Sequence, residues 1–516
     1  MPAQTFEKRE TLVSQRQPAS VRVLKNYSFL ASSYAVSRLI TFLSLVYLAR
    51  FLGAHAFGEV NFAYAIFMYS TLLTHMGLMT FGTREVARFP AQIRAQVTNI
   101  LSLRVALTFA SFLVLVFFAV LLPQTRETKA LVVLFGLSLF PTAALLDWAF
   151  KGVERMQVVG IIEIVRAVPY LLLILFWVKG PSQLLRIPLF FLFSTIVAAG
   201  LSLLVFWRDY GSVPLRLNVG FWKEAMRESL PLGLGFMLLQ AYYLTDTVLL
   251  GVLRDPASVG WYSAAYRMIA FVLVIGGLFF ETTFPIISRY YKESRERLPK
   301  LLNSSFRVTT LLVIPMAVGG TLLARPILTM LYGPAYGSAT IAFQLLIWAV
   351  AIELMGMNWG YALMACDRSR AYMKGVSLGA ATSVVLNVFL IPRFGLMGAG
   401  MARLVSSSLI AFCFWLQFRS VVQLAWWKHF VKPVLATALM AAAMVFSGHD
   451  WVLQLALGAL TYVAVIFVIA PSERAQALRF ANAMLSPSQG GLARSTQPAS
   501  KRSPMREELI RPEIAE

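Results

Sequence analysis

Six arginines stand inside otherwise apolar stretches: Arg38, Arg104, Arg166, Arg267, Arg307 and Arg403. A guanidinium stays charged in any protein environment, and its planar fork of donors fits phosphate or carboxylate oxygens two at a time. At the centre of a hydrocarbon layer each would cost roughly 2.5–3.5 kcal/mol. Six turned toward lipid would cost on the order of 15–20 kcal/mol, so most must face water, a neutralising group or an anionic ligand. Depth separates them. Arg38 lies 13 residues after Lys25 and 12 before Arg50, near the middle of its stretch. Arg166 is about as deep. Arg104 and Arg307 lie about two turns from an end, close enough to snorkel to the surface.

The acids in similar surroundings are Asp147, Glu163, Asp246, Glu281 and Glu353. Glu163 and Arg166, at i and i+3, can pair on one helix face, and a structural ion pair is the plainer reading of those two. Arg267 and Glu281 return to one face but stand about 21 Å apart along it, too far to pair. Glu353, near mid-depth, calls either for a helix-to-helix hydrogen bond or for protonation. Helical spacing adds a direction. Ser33, Ser37, Arg38, Thr41 and Ser44 share one face, as do Asn61, Tyr64, Thr71 and His75. Two neighbouring polar stripes predict a hydrated cavity, against the alternative of polar packing between helices. His75 alone reads as a packing or hydrogen-bonding group.

The elements that must hold these side chains follow from composition. Of 516 residues, 58% are apolar and only 14% charged, and the mean hydropathy is +0.69. A soluble globular chain is about a quarter charged, so this is a multi-pass membrane protein. Apolar runs long enough to cross occur at 25–50, 57–82, 98–122, 130–150, 156–179, 184–207, 230–251, 261–285, 301–325, 340–365, 371–391, 398–418, 431–447 and 450–470. Lipid cannot satisfy bare backbone, so each must be a helix, and the expected class is an all-α membrane protein of 14 transmembrane helices.

Charge orients them. The segments on the side of the two termini carry 32 of the 46 Lys and Arg, the opposite connections 8. The positive-inside rule then puts both termini in the cytoplasm, and the net charge of +22 reflects topology rather than nucleic-acid binding. Cys366 and Cys413 exclude a disulfide framework. Four His without an HExxH pair exclude a catalytic zinc site of that kind, and no GxxxxGK[ST] loop is present. The polar, mixed-charge start lacks the apolar core of a cleaved signal. Expected divisions are a cytoplasmic segment 1–24, a first lobe 25–207, and a linker 208–229 whose FWKEAMRES stretch reads as an interfacial helix. A second lobe 230–418, a helix pair 431–470 and a largely disordered cytoplasmic tail 471–516 follow.

The two lobes repeat each other. An offset of 202 lays Gly58 on Gly260, Ala63 on Ala265 and Tyr64 on Tyr266, and one more residue lays Arg104 on Arg307. GVER at 152–155 likewise matches ACDR at 365–368. Six helices per repeat make the repeats parallel, the arrangement that encloses a central cavity and permits alternating access.

Four segments in order then carry a family resemblance: RFLGAHAFGEVNFAY (50–64), DTVLLGVLRDPASVGWYSAAYRM (246–268), LYGPAYGSATIAFQLLI (331–347) and NVFLIPRFGLMGAGMARLVSSS (387–408). They resemble the outer connections of the polysaccharide-exporting flippases of the multidrug/oligosaccharidyl-lipid/polysaccharide superfamily. The resemblance, over about residues 25–470, implies movement of a polyprenyl-pyrophosphate-linked oligosaccharide, such as an O-antigen unit, across the inner membrane, with no catalysis and no cofactor. It implies membrane lipids and other polysaccharide-assembly proteins as partners. Arg38 and Arg166 are then expected to hold the pyrophosphate, with Arg267, Arg307 and Arg403 lining the route. Related flippases hold a monovalent cation between their seventh, eleventh and twelfth helices, which makes Asp246 and Asn387 candidates for coupling to a Na+ or H+ gradient; capping of the DTVLLG turn is the structural alternative. Two rivals stand beside this reading: a cation-coupled drug antiporter of the same superfamily, which a basic cavity disfavours, and a membrane glycan polymerase, which short outer connections disfavour.

Overall fold

The computed structural model describes residues 19–421, 426–448 and 450–469. The expected tail 471–516 and most of segment 1–24 lie outside them. The described residues form α-helices and short 3-10 turns, with no strand among them. In chain order the first part comprises α1 (Ala19–His75), α2 (Leu78–Arg88), α3 (Ile93–Leu121), α4 (Arg126–Leu137), α5 (Leu139–Ala143), α6 (Asp147–Gly152), α7 (Met156–Trp177) and α8 (Arg186–Tyr210). The second comprises α9 (Val219–Leu253), α10 (Pro256–Glu293), α11 (Leu298–Leu322), α12 (Ala324–Tyr332), α13 (Thr340–Ala365), α14 (Ser369–Phe418), α15 (Val431–Phe446) and α16 (Trp451–Ile469).

Twelve helical stretches among the described residues are long and apolar enough to cross a membrane, and two of them double back. Helix α1 breaks at Gly53 (φ 73°, ψ 171°) and α14 at Gly395 (φ 53°, ψ −127°), conformations glycine adopts without the Cβ clash an L-residue would suffer. In α14 the fold-back is explicit. The Gln417 amide donates to the Ala371 carbonyl at 3.0 Å, Gly379 lies against Ile410, and Gly398 against Leu390. In α1, Tyr34 near the start lies under Lys151, while Gly82, just past the end, packs on Trp148. Both ends therefore reach one segment, so the helix is a hairpin.

Three expected elements differ. The FWKEAMRES stretch is no separate interfacial helix. Asn218 caps Phe221 N–H at 3.1 Å, and α9 runs on from Val219 through Pro231 to Leu253. Pro231 removes only one helix bond, and neighbouring packing holds the turn, with Ser229 fully buried against Gly77. The run 130–150 is not one helix but α4, α5 and α6. Pro141 supplies no N–H to the preceding turn, and the Leu146 N–H is instead taken by Ser202 Oγ at 3.0 Å. The run 57–82 likewise ends at His75, because Met76 and Gly77 both take positive φ before α2 begins.

The matched residues meet about a local two-fold. A Cβ on Gly58 would overlap the Pro256 carbonyl, and one on Gly260 would overlap the Ala54 carbonyl. These two contacts are related by the same 202-residue offset. The GVER and ACDR turns also share a geometry. Glu154 and Asp367 have φ 59° and 60°, and Arg155 N–H and Arg368 N–H bond the carbonyls of Phe150 (2.8 Å) and Leu363 (2.9 Å).

Candidate functional site

Beside that two-fold, helices α1, α9, α10 and α13 enclose a cavity of about 540 Å³. Its walls carry Arg38 from the first arm of α1, Asn61 and Tyr64 from the second, Gln240 and Tyr243 from α9, and Tyr266 and Arg267 from α10. No carboxylate lines it. Arg38 is exposed, with no ion pair or hydrogen bond from its guanidinium among the described residues. Arg267 Nη2 donates to Asn61 Oδ1 at 3.3 Å, and its guanidinium lies 5.7 Å from the Tyr64 ring centre. The Asn61 amide N–H is spent on the Phe57 carbonyl at 2.8 Å, which fixes the carbonyl oxygen toward Arg267. Arg267 is thus positioned, and most of its donors remain for a ligand. The electrostatic character is that of an anion site: two cations, amides, phenols and the hydroxyls of Thr247 and Ser263, among apolar side chains.

The other arginines behave differently. Arg403 is 1% exposed and Asp246 0%, and they form an ion pair, Nη1 to Oδ2, at 3.7 Å. Arg403 also donates to the Tyr242 carbonyl and is sandwiched by rings, its guanidinium 4.1 Å from the Tyr242 centre and 4.9 Å from that of Tyr243. The sequence places Asp246 and Asn387 at equal depth, and here they touch. Asn387 Nδ2 donates to Asp246 Oδ1 at 2.6 Å and to the Ser383 carbonyl at 2.8 Å. Tyr262 O–H donates to the other Asp246 oxygen. Asp246 therefore caps no turn. It is inside α9, neutralised by an arginine expected to line the route.

Arg166 is held by Glu163 at 2.6 Å and is absent from the cavity wall. Arg307, on α11, is also outside it. Arg104 does not snorkel. It is fully buried and donates to the carbonyls of Leu145 (2.9 Å) and Thr142 (3.1 Å) at the break after α5. His75 Nδ1 stands 3.4 Å from the same guanidinium, in keeping with a hydrogen-bonding role. Glu353 accepts from Tyr243 O–H across two helices.

The polar stripe of the first span mostly packs rather than wets. Ser33, Ser37 and Ser44 are buried, Ser33 against Gly160 and Ser37 donating to the Glu163 carbonyl at 3.3 Å. Small hydroxyl residues let α1 and α7 approach closely, and only Arg38, at the edge of that stripe, turns into the cavity. Gln240 and Tyr243 stand outside the sequence expectations, and Tyr266 enters them only as the repeat partner of Tyr64. Their signal is the helical spacing of Gln240, Tyr243 and Thr247, and of Ser263, Tyr266 and Arg267.

Two family models match the chain: "Polysaccharide biosynthesis protein" over residues 23–291 and "Lipid II flippase MurJ" over residues 170–466. A "Probable flippase AglR" of Haloferax volcanii is 30% identical over 174 residues, 33% of this chain and 36% of that protein. A "Putative O-antigen transporter" of Escherichia coli is 21% identical over 395 residues, covering 75% of this chain and 94% of the transporter. The chain thus matches about a third of the length of AglR and of a second Haloferax volcanii flippase, at 36% and 35%. The solved structure of lipid II flippase MurJ in an inward closed conformation superimposes with a TM-score of 0.68 at 14% identity, over 86% of this chain and 99% of that one. An inward-facing multidrug resistance MATE family transporter of the MOP superfamily gives 0.59 at 14% identity, over 75% and 94%. At such identities the likeness is one of fold. With a family model spanning more than half its length, on a helical frame that closes about an arginine-lined cavity, this chain belongs to the polysaccharide biosynthesis protein family.

Proposed function

We propose that the chain is a flippase that moves a polyprenyl-pyrophosphate-linked oligosaccharide across the inner membrane by alternating access. The observation that carries this reading is the cavity with Arg38 and Arg267 in its wall and no carboxylate. A pyrophosphate entering it meets two guanidiniums where the low dielectric strengthens each charge-assisted bond. The glycan crosses with the pyrophosphate in the cavity while the prenyl tail stays in lipid. Arg166 and Arg307 lie off this path, and Arg403 acts on the wall, holding α9 to α14 through Asp246.

Coupling to a Na+ or H+ gradient at Asp246 and Asn387 requires competition with Arg403, which occupies the carboxylate in the conformation described. A step that withdraws Arg403 would open the pair to a cation. The two-lobe division, cytoplasmic termini and contact with other polysaccharide-assembly proteins belong to the same proposal. The drug-antiporter reading is disfavoured because the same wall repels organic cations.

The test is glycan export in cells carrying Arg38→Ala or Arg267→Ala at matched membrane abundance. Accumulation of the lipid-linked intermediate on the inner leaflet is the expected result. Normal export by both variants removes the cavity from the mechanism.

A further inference from the structure

The turn between α13 and α14 holds a second cavity, of about 620 Å³, far from the arginine-lined one in sequence and wall. Arg368, Arg370, Lys374 and Gln417 line it, with Asp367 as its only acid. Arg370 and Lys374 are exposed and make no ion pair among the described residues. Arg368 donates to Ser420 Oγ at 3.0 Å, a neutral acceptor that leaves its charge uncompensated.

The other half of the molecule shows how unusual this is. Its matching turn has the same left-handed acid and the same backbone bond, yet Arg155 there pairs with Asp209, at the end of α8. Counting on from Arg155, Met156, Gln157 and Ile161 stand where Ser369, Arg370 and Lys374 stand after Arg368. In one turn the arginine is paired with Asp209 and the next positions are uncharged; in the other the arginine bonds the neutral Ser420 hydroxyl and two further cations follow. Topology alone does not ask for this, because both turns lie on the same side by the charge count.

The surroundings set the depth. Ala371 packs in one cluster with Trp415 and Trp426, and Trp427 is exposed beside Lys428, the aromatic and basic belt typical of the headgroup level. Leu416, next to Gln417, and Phe412, one turn further along α14, are exposed apolar side chains, a surface for acyl chains. We propose that this cavity binds the phosphate of an anionic phospholipid headgroup, with Arg368, Arg370 and Lys374 around the phosphate and the acyl chains along α14. The proposal is independent of what the central cavity carries.

Native mass spectrometry of the full chain released from detergent tests it, with phosphatidylglycerol against phosphatidylcholine, and inorganic phosphate and pyrophosphate as separate arms. The wild type retains phosphatidylglycerol in preference to phosphatidylcholine, and Arg370→Gln/Lys374→Gln weakens that binding about thirtyfold, from about fivefold per surface cation. The comparator Lys223→Gln/Arg227→Gln, which removes two exposed charges from α9, retains it. Equal retention of both lipids, unchanged binding in the first double variant, or an equal loss in the comparator overturns the proposal. Binding of inorganic phosphate or pyrophosphate as tight as that of the lipid, and lost in the same variant, overturns the lipid in favour of a soluble anion.

Discussion

Arg267 lines the cavity, whereas Arg403 is buried behind its wall, against Tyr243 and Tyr266, and each must offset the desolvation of a guanidinium. Arg267 meets a neutral carbonyl oxygen and a ring face. Arg403 meets a carboxylate, a backbone carbonyl and three rings. The first keeps its charge available, whereas the second is consumed by its surroundings. An intramembrane arginine is therefore read by what is left over after its neighbours are counted; by that measure we propose Arg38 and Arg267 as the binding groups, and Arg403 and Arg104 as structural ones.

Substitution at each position tests this division. Arg403→Ala strands Asp246 in a dry interior and is expected to cost about 3–5 kcal/mol, seen as low abundance and a depressed melting midpoint in detergent. Adding Asp246→Asn to it should recover part of the loss, since the orphaned charge goes with it. A wild-type midpoint for Arg403→Ala alone would place Arg403 among the available arginines. Arg104→Ala leaves no buried carboxylate behind, only the Thr142 and Leu145 carbonyls. Its expected cost is smaller, about 2 kcal/mol.

Arg166 is intermediate, because its partner Glu163 is close but both side chains are partly exposed. Replacement by Ala should cost at most about 1 kcal/mol and spare export. Lost export at normal abundance would move the anion site toward α7. At the far end, Arg38→Ala is expected to change stability by no more than about 0.5 kcal/mol while abolishing export. Arg38→Lys should restore a part, because it keeps the charge but not the fork.

Composition and periodicity made the helical frame legible, since every crossing must satisfy its own backbone. The failures have local causes. Pro141 broke a run whose hydropathy is unbroken, and FWKEAMRES looked interfacial because its charges hide a continuous helix. Depth brings Asp246 and Asn387 together, and they touch, yet depth says nothing of which arginine arrives between helices distant in sequence. Arg403 is more than 150 residues from Asp246 along the chain. Ser33 and Ser37 misled for a related reason, because a hydroxyl that lines water and one that bonds a neighbouring helix look alike along one strand of sequence.

Binding measured directly, without turnover, bears most closely on the central claim. Native mass spectrometry with a polyprenyl-pyrophosphate-linked disaccharide should show retention by the wild type and by Arg166→Ala. It should show at least about a hundredfold weaker retention by Arg38→Ala/Arg267→Ala, on the scale of two lost charge-assisted bonds at roughly 1.5–3 kcal/mol each, at an unchanged melting midpoint. Equal retention by the double variant would contradict the assignment of these two arginines to the substrate.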